Sequence, residues 1–476
     1  TLVSTIDACA SEVMIAEGKR VHARIMGCGF EGEVAENNAI LNMYGKCGRV
    51  EHARKMFDTM DKRDVISWSS LAAAYTQHGY GSEAMHLFDQ MQIEGVLPNK
   101  VTYVSLLDAC ASQSALAEGK VIHTHIHDGR AESDLVVGNA LMNMYSKCHS
   151  LMMARKIFDG MQRRDVVSWT AMSSAYAQEG YQDVALQLFF QMQDEGVLPN
   201  TSTYICVLKA CGIVRSLEIG EDIDAEIRKQ GLLQKDIMIA NALLGMYVKC
   251  GMLDKARQVF TKIQSRDVVL WTSLLTGYVE HGYVHEAMNC FEQMMKEGIS
   301  PDSITFVCTL KACGNIGDIV KGQEIHTAVV SHGLEMDLSV ASCLLDLYEK
   351  CGSISTSKEI FDKLPKRDIV LWTSLMAGYV KHGYYEEALT YFYHMQSEGF
   401  SPNCATFVCI LKGCGSVNSI VKGQEIHADI VAKAQETNYF VANSLVSMYA
   451  KCGSLIDARE ALYKLCHRDV VTWTAL

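Results

Sequence analysis

All five tryptophans of the chain stand in one register, Trp68, Trp169, Trp271, Trp372 and Trp473, 101 or 102 residues apart. Four of the five prolines, Pro98, Pro199, Pro301 and Pro402, keep the same rhythm. Such a period constrains the fold more than length does, because a repeated unit buries its apolar face only against its neighbours. Without it, 476 residues would suggest several globular domains.

The period is too long for one helical hairpin and divides into units of 35, 35 and 31 residues. In the first, Val65 to Asn99, residues Trp68, Leu71, Ala72 and Tyr75 fall at i, i+3, i+4 and i+7, one face of a helix. Gly79 permits a tight turn, and Ala84, Leu87, Phe88 and Met91 repeat the helical spacing. Gly95 sits where a helix C-terminal glycine belongs, and Pro98 prevents continuation. The second unit, Lys100 to Asp134, carries Cys110; the third, Leu135 to Asp165, ends M-Q-R-R-D. The third lacks the G-x-x-P-N tail, which is read here as the reason it is shorter. The expected fold is all-α: one right-handed superhelical solenoid of helix–turn–helix repeats over 1–476, with a concave groove. No Ser/Pro-rich linker or charge run marks a domain boundary. The chain starts inside one unit and stops inside a first helix, so a stretch of a longer protein is expected.

The eighteen cysteines follow the repeat rather than a metal spacing. Cys9, Cys110, Cys211, Cys313 and Cys414 share one register, and Cys47, Cys148, Cys250, Cys351 and Cys452 another. No C-x-x-C occurs, so the expectation is packing in a reducing compartment, without zinc or disulfides. His22, His123, His326 and His427 also recur once per period, with Asp224 in the third copy; they do not converge and read as packing or surface residues. P-loop, H-E-x-x-H and G-x-S-x-G patterns are missing, so the sequence implies no enzyme, no metal and no cofactor. No apolar run is long enough for a membrane span. The net charge of −12 is the feature most opposed to binding a polyanion.

The stretches D-V-V-S-W-T-A-M, N-A-L-M-N-M-Y-S-K-C, A-R-K-I-F-D-G-M and E-G-V-L-P-N resemble the PLS class of pentatricopeptide-repeat proteins of land plants. In that class P, L and S motifs alternate. On this resemblance residues 1–33 are a partial L motif. S motifs take 34–64, 135–165, 237–267, 338–368 and 439–469. P motifs take 65–99, 166–200, 268–302 and 369–403, and 470–476 start another. L motifs take 100–134, 201–236, 303–337 and 404–438. The resemblance implies binding of single-stranded organellar RNA, and service as a specificity factor for C-to-U editing in mitochondria or, alternatively, chloroplasts. The deaminase extension of such proteins carries H-x-E and P-C-x-x-C, neither of which is found here. The chain would be the recognition part, with editing-complex proteins or a deaminase as partners in trans.

The resemblance also implies which residues read bases: the fifth and the last of each motif, one base per motif. In S motifs the pairs are Asn38 with Asp64, Asn139 with Asp165, Asn241 with Asp267, Ser342 with Asp368, and Asn443 with Asp469. In P motifs they are Ser69 with Asn99, Thr170 with Asn200, Thr272 with Asp302, and Thr373 with Asn403. Asn with Asp favours uracil, Ser or Thr with Asn adenine, and Ser or Thr with Asp guanine. A structural reading stands beside this one: each last residue is placed to cap the next helix, and each Asn to bond to a neighbouring repeat. L motifs carry Val104, Ile205, Val307 and Val408 at the fifth position, and Val3 in the partial unit; aliphatic side chains cannot bond to a base edge, so packing is expected. Second positions, which sandwich bases in the family, hold Ile66, Val136, Val167, Val269 and Val370, with Ala35 and Ser339 as departures. Lys46, Lys147, Lys249, Lys350 and Lys451 occupy the register that lies near phosphates in the family; a lysine favoured by the helix dipole is the alternative. The rivals to editing are an RNA binder that protects or splices a transcript, and a protein-binding scaffold, which the acidic charge favours.

Overall fold

The computed structural model describes residues 2–27, 34–129 and 134–464. Among them are twenty-eight α-helices, one short 3-10 helix at Leu232–Gln234, and no strand. Among these residues no helix is long and apolar enough to cross a membrane. The chain is an all-α array of helix–turn–helix repeats, divided into two compact units, residues 1–246 and 247–476. Asp469 and the stub from Val470 onward lie outside the described residues.

Helix starts follow from the caps. Val65–Gln77 begins immediately after Asp64, Lys100–Gln113 after Asn99, and Leu135–Lys147 after Asp134. Between paired helices, Gly79 takes φ +80°, and after the second helix Gly95 takes φ +73°, the left-handed conformation that glycine adopts without strain.

The 31-residue unit loses its residues in a place the sequence did not suggest. Its second helix has ten residues, as at Val50–Thr59 and Ile354–Lys363, against thirteen at Gly81–Ile93 and Tyr385–Ser397. Three of the four missing residues therefore come from the helix, not the tail. An arginine braces the shortened end. Arg63 Nε donates to Phe57 O at 3.1 Å, and its guanidinium lies 4.8 Å over the Phe57 ring. It thereby satisfies a carbonyl that a further turn would have used. Arg63 Nη1 also reaches Glu94 at 3.2 Å, tying the end of one motif to the end of the next. Arg164, Arg266 and Arg367 repeat this brace on Phe158 and Glu195, Phe260 and Glu297, and Phe361 and Glu398.

Each brace closes over a tryptophan. Trp68, Trp169, Trp271 and Trp372 are fully buried, edge-on to those phenylalanines at 4.5–4.8 Å. The histidine register is structural: His22, His123, His326 and His427 bond through Nδ1 to Tyr44, Tyr145, Tyr348 and Tyr449 at 2.8–2.9 Å. In the third copy Asp224 pairs instead with Arg228 at 2.6 Å. The described cysteines are free thiols. Burial pushes Cys110 up to about 12 and Cys313 to about 11, so both stay neutral hydrophobes.

One buried acid departs from the repeat. Glu349 holds a register occupied elsewhere by Gly45, Ser146, Val248 and Ala450. It packs against Gly378, where a Cβ would lie 2.4 Å from its Cδ, and accepts one hydrogen bond, from Ser357 at 3.3 Å. Burial pushes its carboxyl up to about 8. A raised folded value means stability that is complete below the unfolded value and lost as pH rises through the folded one. Unit 247–476 should therefore lose on the order of 3 kcal/mol between about pH 5 and pH 8. Glu349→Gln should flatten that dependence, which urea denaturation across pH measures directly.

Candidate nucleic-acid interface

The last residue of every described P and S motif is the N-cap of the following helix. Asp64, Asp165, Asp267 and Asp368 accept through Oδ1 from the third backbone N–H of that helix at 2.8–2.9 Å. Asn99, Asn200, Asp302 and Asn403 do the same at 2.8–2.9 Å. Capping is thus the structural role of these residues, as the alternative reading had it. It uses one side-chain atom. Oδ2 of Asp64, Asp165, Asp302 and Asp368 makes no hydrogen bond among the described residues, nor does Nδ2 of Asn99, Asn200 and Asn403. The unused atom is an acceptor in Asp and a donor in Asn.

Fifth-position residues lie beside these caps. Asn38 Nδ2 donates to Asp64 Oδ1 at 3.0 Å, and Asn139 Nδ2 reaches Asp165 Oδ1 at 3.5 Å. Ser69 Oγ is 3.2 Å from Asn99 Oδ1. Thr170, Thr272 and Thr373 connect to their caps through a second threonine: Thr203, Thr305 and Thr406 lie 2.7, 2.7 and 2.9 Å away. Sequence reasoning missed these third-position residues, and with them Thr102, Ser67 and Ser168. The signal was present, since a hydroxyl three residues after an Asn or Asp cap completes a capping box. Ser342 makes no hydrogen bond among the described residues; the third position after Asp368 is Leu371. Asn241 and Asn443 are half-buried, and the partner assigned to Asn443 is outside the described residues.

L motifs end differently. Asp134, Asp337 and Asn438 have ψ of 122–124°, against 171–179° for the last residues of P and S motifs. Their Oδ1 accepts from two successive N–H groups, as Asp134 does from Val136 and Val137. The following third positions, Val137, Val340 and Val441, are apolar and buried, and Val104, Ile205, Val307 and Val408 are half-buried. Among the described residues the aliphatic fifth position makes no polar pair with the last residue; instead Ser303 Oγ donates to Asp337 at 3.3 Å and Lys100 pairs with Asp134 at 3.8 Å.

Second positions form an apolar series that solvent reaches. Ile66, Val136, Val167, Val269 and Val370 are 51–54% exposed although each lies in the first turn of a helix. The same register adds Met238 and Phe440 in S motifs, and Val101 and Ile304 in L motifs, all exposed and all overlooked in the sequence. Lys46, Lys147, Lys249, Lys350 and Lys451 are exposed at the ends of first helices. Lys350 alone in this group pairs with an acid, Asp346, at 2.8 Å.

The caps of the first two S motifs are tuned. Burial opposes ionisation of Asp64 and Asp165, but hydrogen bonds from Ser67 and Asn38, and from Ser168 and Asn139, hold both carboxyls below the usual range. A lowered folded value gives stability present above the unfolded value and lost as pH falls through the folded one. Asp165→Ala should cost about 1 kcal/mol at neutral pH. The difference from the unaltered chain should close as pH falls below about 4; an acid titration of Tm for both chains tests this.

The model of the PPR repeat family matches residues 63–112, 164–212, 266–315 and 367–416. The PPR repeat model matches 38–65, 139–166, 239–268 and 440–470. Pentatricopeptide repeat-containing protein At4g18520, chloroplastic, of Arabidopsis thaliana is 33% identical over 87% of this chain and 67% of its own length. At3g53360, mitochondrial, from the same plant is 32% identical over the whole chain and 62% of its own length. At4g39530 is 31% identical, and the chain spans 57% of it. Among solved structures, the pentatricopeptide repeat protein PPR10 from maize superposes over the whole chain and 74% of its own, with TM-score 0.67 at 19% identity. PPR10 in complex with an 18-nt psaJ RNA element gives 0.53 at 17% identity, over the whole chain and 81% of its own. With family models covering most of its length and relatives above 30% identity, the chain belongs to the pentatricopeptide-repeat family.

Proposed function

We propose that this chain binds single-stranded RNA with sequence specificity, one base per P or S motif, in an organelle. The observation that carries the proposal is the half-used cap. One side-chain atom holds the next helix, and the other is left as a donor in Asn or an acceptor in Asp. Adenine presents an acceptor at N1, whereas guanine and uracil present an N–H at the equivalent edge position. The Asn caps therefore suit adenine, and the Asp caps suit guanine or uracil. The exposed second-position side chains supply apolar surface on which bases pack. The five exposed lysines supply local positive potential on a chain whose net charge is −12.

PPR10 was solved with an RNA element, and the relatives carry both chloroplastic and mitochondrial names. These support an RNA ligand and an organellar setting. The finer reading is a PLS-class specificity factor for C-to-U editing, in mitochondria by preference, with deaminase chemistry supplied by another segment or a partner. A protein-binding scaffold is the second reading, favoured by the acidic charge.

With the N-terminal motif toward the 5′ end, the motifs from Val34 read 5′-U-A-N-U-A-N-U-G-N-G-A-N-U-3′. RNA bind-and-select sequencing should enrich this pattern; a chain that retains no RNA, or enriches none, overturns the proposal. Asn200→Asp should move preference at the fifth base from A towards G, by about 1–3 kcal/mol. Helix stability should hold, since both residues cap helices well. Lys147→Ala should weaken all RNAs equally and flatten the salt dependence by about one unit of slope or less; filter binding across a salt series reads both.

A further inference from the structure

We infer that the third-position hydroxyls Ser67, Thr102, Ser168, Thr203, Thr305 and Thr406 are positioning residues that fix which hydrogen-bonding face the reading pair turns to a base. This rests on the RNA reading proposed above. All six are fully buried polar side chains, at most 1% exposed, so their protons must be satisfied internally.

The proton bookkeeping has one solution at the second and third P motifs. The cap oxygen can only accept. Thr203 Oγ1 lies 3.0 Å from Asn200 Oδ1 and donates to it. Its lone pair then accepts from Thr170 Oγ1, 2.7 Å away. The single proton of Thr170 is thereby consumed, and only its lone pairs remain for a base. The chain Thr272–Thr305–Asp302 repeats this at 2.7 and 2.7 Å. Thr406 lies 2.9 Å from both Thr373 and Asn403, but Thr373 also has the Ile369 carbonyl at 2.7 Å, and its proton is held internally by one or the other. Ser69 has Thr102 at 2.8 Å and the Val65 carbonyl at 2.6 Å, and its proton stays inside with either acceptor.

The first two S motifs come out with the opposite polarity. Ser67 Oγ donates to Asn38 Oδ1 at 2.6 Å while Asn38 Nδ2 donates to Asp64, so the amide cannot flip. Its oxygen is thereby used, and one amide N–H is left over. Ser168 holds Asn139 in the same way at 2.8 Å. The fifth position thus offers an acceptor in P motifs and a donor in these S motifs. At the junction of Ser342 and Asp368 the third position is Leu371, and the Ser342 hydroxyl is free to rotate. The tenth base should therefore be discriminated less well than the eighth, which Thr272, Thr305 and Asp302 read.

The test compares binding of the full chain to RNAs that carry each of the four bases at one position. Thr203→Val keeps the side-chain shape and removes the hydroxyl. It should lower discrimination for A at the fifth base roughly three- to tenfold, the net worth of one hydrogen bond. Thr203→Ser should restore it. Leu371→Ser should raise discrimination at the tenth base by a similar factor. Asn200→Asp serves as the control for the reading itself. If that swap moves the fifth base from A to G while Thr203→Val leaves the ratios unchanged, the positioning role is refuted and the reading stands. If Asn200→Asp has no effect on base preference either, the reading fails and this inference fails with it. A loss in Thr203→Val that is equal for all four bases, or that Thr203→Ser does not rescue, assigns Thr203 to stability alone.

Discussion

Every described boundary that follows a P or S motif depends on one contact: a side-chain oxygen accepting the third N–H of the helix that follows. The first turn of a helix has N–H groups with no partner inside the helix, and in a stack of short helices those groups recur at every junction. Meeting them with Asn or Asp fixes where each helix starts. That start fixes the phase of the thirteen or so residues behind it. The tryptophan, the buried leucines and the fifth-position residue all take their places from it. The arginine brace does the complementary work at the other end, stopping the S-motif helix and fastening it to the next repeat.

Much of this was legible in the sequence because the repeat reports its own structure several times over. The faces Trp68–Leu71–Ala72–Tyr75 and Ala84–Leu87–Phe88–Met91 are buried as their spacing requires, and Gly79 and Gly95 take the positive φ expected of them. What sequence reasoning could not supply was the side-chain partnership across a boundary. The thirty-odd residues between Thr170 and Thr203 hide a 2.7 Å contact. The Arg63 stack on Phe57 is likewise invisible in a pattern of charges, and so the short S motif was credited to its tail. The histidines show the same limit: their register was plain, but their tyrosine partners, twenty-two residues on, were not.

Alternation of motif types also has a backbone basis. P and S motifs end with the cap residue almost fully extended, and in the P motifs and the first two S motifs its oxygen is gathered toward a hydroxyl and the fifth-position side chain. L motifs end with ψ some 50° smaller and an apolar residue at the third position. The aliphatic fifth residue of the L motif is therefore one part of a junction in which the fifth and last residues form no polar pair. The difference lies in the backbone as well as in side-chain choice.

The half-used cap has a consequence for how such a chain changes over generations. Under the proposed reading, exchange of Asn and Asp at one position alters the preferred base but leaves the helix start intact. The two residues are one nucleotide apart in the genetic code. A lineage of these proteins can therefore drift from one transcript to another through folded intermediates, with no need of a compensating change elsewhere in the chain. Residues that both hold the fold and read the ligand usually resist substitution. On that reading the two duties fall on different atoms of the same side chain, and selection can act on one while the other stays fixed.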